Sequence, residues 1–259
     1  MAELLLSPRD TDDGRLLGAA AEKRGWKATT LTSWRTPSDA AFDRPLLVYG
    51  EPLFARIVAS QNGLLLLEPP HDWLGWIDLR LTRRKISVLT FGQLAELSYP
   101  CFLKPPDDKT FPAQVYASPE GLAERSDIDA DQLIIASEPV SFAKEFRVHF
   151  CDWRAVSQSL YSVAGELVPS GDDPDGSDAI AFAQEVVDSA KLHTPPAVVV
   201  DVGILSDGAW AVIEANPAFG AGLYGADPDP ILDVLLQACQ PAGTLPAELA
   251  QFTFPVTLE

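Results

Sequence analysis

The chain has 259 residues, 47% of them apolar, and a formal net charge of −18 at pH 7. That length suits one large domain or two to three small associated ones with a substantial core. The acidity argues against a nucleic-acid partner, and no run of 18 apolar residues is present to span a membrane. Three scattered cysteines, Cys101, Cys151 and Cys239, form neither a disulfide framework nor a metal knuckle. The stretch Met1–Leu6 lacks the basic flank and apolar length of a signal peptide, so a reducing cytoplasm is the expected compartment.

In chain order, Glu3–Ser7 is expected to be a strand and Asp12–Arg24 a helix, capped by Asp12 or Asp13 and stopped by Gly25. Trp26–Leu31 and Leu46–Tyr49 are strand-like, Leu53–Ser60 has helical period, and Leu64–Leu67 reads as a short buried parallel strand. This alternation predicts a small α/β domain over residues 1–84. After Pro69-Pro70, Trp73–Leu79 has no clear period.

From Lys85 the strands lengthen and alternate, so residues 85–259 are expected to form a second unit of α+β character. Ser87–Leu97 is expected to be a helix, Tyr99–Lys104 a strand ended by Pro105-Pro106, and Gln114–Tyr116 a returning strand. Leu133–Ser137 is a strong β run. Glu145–Phe150 alternates, with Glu145, Arg147 and His149 on one face and Phe146, Val148 and Phe150 on the other. A turn at Cys151–Arg154 leads to a strand over Ala155–Tyr161, then an exposed loop over Val168–Ser177. Ala179–Lys191 and Pro230–Cys239 are helices. The few cations gather as Arg80–Lys85, Lys104 with Lys109, and Lys144 with Arg147 and Arg154, a pattern that suits a local anion site.

Between the apolar runs Val198–Leu205 and Ala209–Ala215 stands Asp207-Gly208, a hairpin signal because tight primed turns need positive φ. A two-residue turn there places Asp201 directly opposite Glu214, and Asn216, two residues on, shares their face. Facing carboxylates repel, and burying them unpaired costs several kcal/mol, on the order of the penalty for any buried charge. A hard cation resolves the conflict: carboxylate and amide oxygens are Mg²⁺ ligands, with phosphate oxygens completing the octahedron. An exposed hairpin with solvated acids is the alternative.

Asp201-Val202-Gly203, followed by Ile213-Glu214-Ala215-Asn216-Pro217, resembles the metal motif of the ATP-grasp superfamily, an Asp on one strand and Glu-x-Asn on the next. The motif order extends over roughly residues 85–240. The resemblance implies an ATP-grasp fold of class α/β (α+β): a small N-terminal α/β domain, then two α+β subdomains that clamp ATP and meet near residues 137–141. It implies Mg²⁺, or Mn²⁺ in its place, on Asp201, Glu214 and Asn216. It makes Lys104, at the end of the Tyr99–Pro105 strand, a phosphate-contacting lysine. Glu138, Pro139 and Val140 become the linker that holds adenine, and Glu145 the acid that bonds the ribose hydroxyls. An upstream lysine of the family corresponds to Lys85, with Arg84 as its rival. Many relatives carry a glycine-rich loop where this chain has Pro106–Phe111, without glycine, so Lys109 and Thr110 become candidate phosphate contacts. Arg147, on the Glu145 face, suits a phosphate or a carboxylate substrate, or else a structural ion pair with an acid across the sheet.

The activity implied is that of an ATP-dependent carboxylate–amine ligase, with Lys104 and Arg147 around the transferring phosphoryl group. Its partners would be small-molecule or peptide carboxylates and amines. A catalytically degraded Mg²⁺-ATP-binding interaction or regulatory module is the alternative.

Overall fold

A computed structural model describes residues 1–106, 110–123, 125–168 and 173–254. The first strand, β1 (Glu3–Leu6), is buried along its whole length and lies at the centre of a three-stranded parallel sheet between β2 (Lys27–Thr30) and β3 (Leu46–Tyr49). Helix α1 (Asp12–Lys23) starts at Thr11, whose hydroxyl accepts the Gly14 N–H at 3.1 Å. Asp12 and Asp13 occupy the first turn, where they complement the helix dipole rather than cap it. Gly25, at φ 72°, ends the helix in the left-handed conformation glycine adopts without cost. Helix α2 (Pro52–Gln61) follows β3. Strand β4 (Leu64–Leu66) does not join the parallel sheet: it pairs antiparallel with β14 (Cys239–Pro241) near the C-terminus. A three-residue apolar strand carries no signal of direction, which is set by the partner it meets.

After a 3₁₀ turn (Trp73–Trp76) and a single helical turn α3 (Leu79–Thr82), the segment expected to be a helix at Ser87–Leu97 is instead β5 (Ile86–Thr90) followed by a 3₁₀ turn, Phe91–Glu96. Ile86, Val88 and Thr90 are β-branched, and full pairing with β8 (Leu133–Ser137) overrides the helical spacing. With β6 (Cys101–Lys104) and β7 (Gln114–Tyr116) these strands form an antiparallel sheet in the order β5-β8-β6-β7; α4 (Glu120–Ala123) lies between β7 and β8.

The largest sheet runs β11-β10-β9-β12-β13, built from β9 (Phe142–Cys151), β10 (Arg154–Val163), β11 (Glu166–Leu167), β12 (Val198–Leu205) and β13 (Trp210–Asn216). Phe146, Val148 and Phe150 are fully buried in a core shared with Ala179, Ala183, Val186 and Val187 of α5 (Gly176–Ser189). The opposite face carries Glu145, Arg147 and His149. It is covered by the loop after β13 and by α6 (Pro228–Ala238), which also joins the core of the N-terminal sheet. Among the described residues no helix is long and apolar enough to cross a membrane.

Candidate active site

The β12–β13 hairpin pairs Asp201 with Glu214, as the turn argument expects, but by a different route. The loop has three residues, Ser206–Gly208, closed by the Leu205 N–H donating to the Ala209 carbonyl at 2.8 Å; Gly208 takes φ 88°. This shifts the register by one residue. A β-bulge then restores it, because Val202 faces Val212 while Asp201 faces Glu214, leaving Ile213 as the extra residue. The bulge has a second effect. Val212 stays in the core against α5, whereas both Ile213 and Glu214 turn to the other face.

The two acids do not lie unpaired. Asp201, with a side chain only 1% exposed, faces Arg147 on β9 and receives its Nε at 2.9 Å and Nη2 at 2.7 Å, a bidentate pair. Arg147 also donates to the Gly222 carbonyl at 3.1 Å and lies over the rings of Tyr224 and Tyr161, 4.9 and 5.6 Å from their centroids. Burial disfavours its charge, but the Asp201 carboxylate outweighs this and holds the guanidinium above its ordinary pKa. The structure thus realises the ion-pair alternative for Arg147. Among the described residues no cavity is lined by it.

Lys104, at the end of β6, forms an ion pair with Glu214. Burial pushes the Glu214 carboxyl up, but Lys104, a hydrogen bond from Asn216 and the Arg147 charge together hold it below the ordinary range. The Asn216 amide donates to Asp201 at 3.1 Å and to Glu214 at 3.0 Å, so the three expected metal residues do converge. Their charge, however, is already balanced by Arg147 and Lys104, and the metal is not needed for neutrality. Among the described residues no group of three or more His, Cys, Asp or Glu is placed to hold a metal ion. Glu214 and Asn216 face a cavity and Asp201 does not. A Mg²⁺ ion that keeps water and phosphate oxygens needs only one or two protein oxygens, which Glu214 and Asn216 can provide.

Two contiguous cavities meet at this point. One, of about 230 Å³, has apolar walls from Leu74, Ile86, Phe102, Ile135, Val140, Phe142 and Ile213, and polar groups from Lys104, Glu138, Glu145 and Glu214. The other, about 130 Å³, shares Leu74, Lys104, Ile135 and Glu214 with it, and continues past Asn216 to Pro52 and Gly220 of the N-terminal side. Glu145 accepts the Tyr161 and Ser162 hydroxyls at 2.8 and 2.9 Å. Phe142 reaches the first cavity through another bulge, at Ala143, and Gly203 gives it room: a Cβ there would stand 2.7 Å from the Phe142 ring.

The upstream cation on the cavity is Arg84 and not Lys85. Arg84 is buried and donates to the carbonyls of Val212 at 2.7 Å, Ile213 at 3.3 Å and Thr82 at 3.0 Å; burial pushes its pKa down to about 10. It therefore braces the Ile213 bulge. Lys85 is exposed and lines a separate groove, because successive residues point to opposite faces. Its backbone N–H donates to the Glu138 carboxylate at 2.8 Å. Pro139 is exposed between Glu138 and Val140 but is not among the cavity walls. Lys109 lies outside the described residues. Sequence reasoning missed the apolar wall of Leu74, Ile86, Phe102 and Phe142. These residues come from four separate elements, and nothing local joins them.

Residues 81–234, more than half of the chain, match the model of an ATP-grasp domain family, the second family of its clade, and the chain belongs to that family. Its fold is similar to that of a RimK-domain ATP-grasp protein from Sphaerobacter thermophilus, with a TM-score of 0.57 and 17% identity, covering 91% of this chain and 99% of that one. It is similar to an N5-carboxyaminoimidazole ribonucleotide synthetase in complex with ADP, with a TM-score of 0.57, 15% identity and coverage of 93% and 78%. An L-amino acid ligase from Bacillus licheniformis gives a TM-score of 0.53, 14% identity and coverage of 91% and 74%. At these identities the likeness is one of fold, the ATP-grasp arrangement of mixed helices and sheets. No curated protein matches the sequence.

Proposed function

We propose that the chain binds Mg²⁺-ATP in these two cavities and is a carboxylate–amine ligase that forms an amide or peptide bond and releases ADP and phosphate. The observation that carries this reading is the polarity of the first cavity: an apolar slot at one end, with Lys104, Glu145 and Glu214 at the other. A purine fits the slot between Ile86, Val140, Phe142 and Ile213, with the linker Glu138–Val140 along its edge. Glu145 then faces the ribose and Lys104 offers a point charge to a phosphate. Glu214 and Asn216 are the groups that would hold Mg²⁺, which when bound neutralises phosphate charge. Asp201 and Arg147 act behind them, fixing Asn216 and the Gly222 loop. The ligase structures of similar fold support the class of reaction.

In this reading the γ-phosphoryl group passes from ATP to a substrate carboxylate oxygen, giving an acyl phosphate and ADP. An amine nitrogen then attacks the acyl carbon, phosphate leaves and the amine gives up a proton. The chain contributes position and charge, not a covalent nucleophile. The second cavity opens toward residues 1–84, which we assign to the substrate side, with 85–259 as the nucleotide-binding part. The test is ADP and phosphate release by the purified protein with Mg²⁺-ATP and a matrix of amino acids and peptides. Release is expected only when an acid and an amine are both present, and Glu214→Ala is expected to abolish it. Turnover unaffected by Glu214→Ala sinks the reading; ATP binding without turnover in any combination favours the interaction module.

A further inference from the structure

Tyr161 and Ser162 are adjacent on β10, and on a regular strand their side chains point to opposite faces of the sheet. Here they do not. Leu160 pairs with Phe146 and Ser162 pairs with Glu145, so a bulge leaves both Tyr161 and Ser162 opposite the single residue Glu145. Both hydroxyls donate to that one carboxylate, Tyr161 to Oε2 at 2.8 Å and Ser162 to Oε1 at 2.9 Å. Tyr161 is held in turn by stacking on Tyr224, with centroids 5.1 Å apart, and by the Arg147 guanidinium. Burial, with the Asp201 and Glu145 charges, pushes the Tyr161 phenol well above its ordinary pKa, so it stays protonated as a donor.

The terminal torsion of a glutamate is soft, and a carboxylate on a cavity wall would otherwise rotate freely. Two donors, one on each oxygen, remove that freedom. A carboxylate has about four acceptor positions. Two are taken by the strand, and the rest are presented to the cavity in one fixed orientation. We infer that the Tyr161–Ser162 bulge is a positioning device that orients Glu145 to accept both hydroxyls of a vicinal diol, so that the site selects ribonucleotides over nucleotides lacking either hydroxyl. The inference rests on the nucleotide reading above and adds to it the two residues that set sugar specificity.

The test compares affinities of the full-length protein for Mg²⁺-ATP, 2′-deoxy-ATP and 3′-deoxy-ATP by isothermal titration. Wild type is expected to prefer ATP by about tenfold or more, the value of one charge-assisted hydrogen bond. Tyr161→Phe and Ser162→Ala each keep the bulk of the residue and are expected to reduce that preference about three- to tenfold. Affinity for the deoxynucleotides should stay within about twofold, because they lack the contact that is lost. Thermal melts identify any variant that has not folded, and the other is then decisive. Parallel loss for all three nucleotides, or unchanged preference, overturns the inference. If wild type prefers ATP and Glu145→Ala erases the preference while Tyr161→Phe and Ser162→Ala retain it, the positioning role alone fails. If wild type does not distinguish the three, the ribose contact at Glu145 fails as well.

Discussion

Replacing Asp201 by alanine tests which charge balances this acid. Its carboxylate is 1% exposed and the Arg147 side chain 9%, and both oxygens are engaged by the guanidinium. Asp201→Ala strands a buried cation, a change that costs roughly 3–5 kcal/mol. Against a total stability of about 5–15 kcal/mol this is a large fraction. At about 2–4 °C per kcal/mol for a chain of this size, the melting temperature should fall by roughly 6–20 °C. Urea unfolding followed by the fluorescence of the six tryptophans, without metal or nucleotide, gives the number directly. Arg147→Met is expected to cost a similar amount, and the double variant to return within about 1–2 kcal/mol of wild type, because the stranded charge is gone. A loss below about 1 kcal/mol in Asp201→Ala refutes the reasoning. So does a wild type that is equally unstable without Mg²⁺ and rescued by it, since the metal would then be the balancing charge.

Glu214→Gln removes the partner of Lys104 and a metal-facing oxygen while keeping the volume; ADP release should fall about 10²–10³-fold with the thermal melt nearly unchanged. His149 is buried with both ring nitrogens unpartnered, and burial, then the Arg147 charge, lowers its pKa to about 3. The unfolded chain therefore binds its proton below about pH 6.5 while the folded chain does not, and the neutral ring's stabilisation is lost as pH falls from there toward 3. Relative to His149→Leu, wild type should lose about 2 kcal/mol between pH 7 and 5 in urea titrations; equal pH slopes would contradict this. Gly203→Ala places a Cβ 2.6 Å from the Lys144 carbonyl and 2.7 Å from the Phe142 ring. It should cost roughly 1–3 kcal/mol and weaken ATP binding measured by titration, because Phe142 is pushed into the slot.

Much of the large sheet was legible because strand alternation is local. Phe146, Val148 and Phe150 announce a buried face by spacing alone, and Glu145, Arg147 and His149 the opposite one. The Asp201–Glu214 pairing was legible too, though the reasoning behind it was incomplete: a three-residue loop and a bulge at Ile213 cancel to give the register a two-residue turn would give. The helix expected over Ser87–Leu97 failed because Ile86–Thr90 takes its conformation from β8, whose sequence lies more than forty residues away. Lys85 failed by one position, since the alternation that exposes it buries Arg84.

By itself the sequence determined the periods, the turns and the order of the charged residues, because these depend on neighbours a few positions apart. It therefore placed Lys104, Glu145, Glu214 and Asn216 on strands of one site. The partners of those charges were decided only by the tertiary structure. Arg147 claims Asp201 because β9 lies beside β12, and Lys104 reaches Glu214 because two sheets meet there. The bulges at Ala143, Tyr161 and Ile213 were also decided there, and each turns a side chain onto the cavity against the strand's own alternation. A bulge is one residue of mismatch between two strands, so it exists only once both are paired, and neither strand's sequence records it alone.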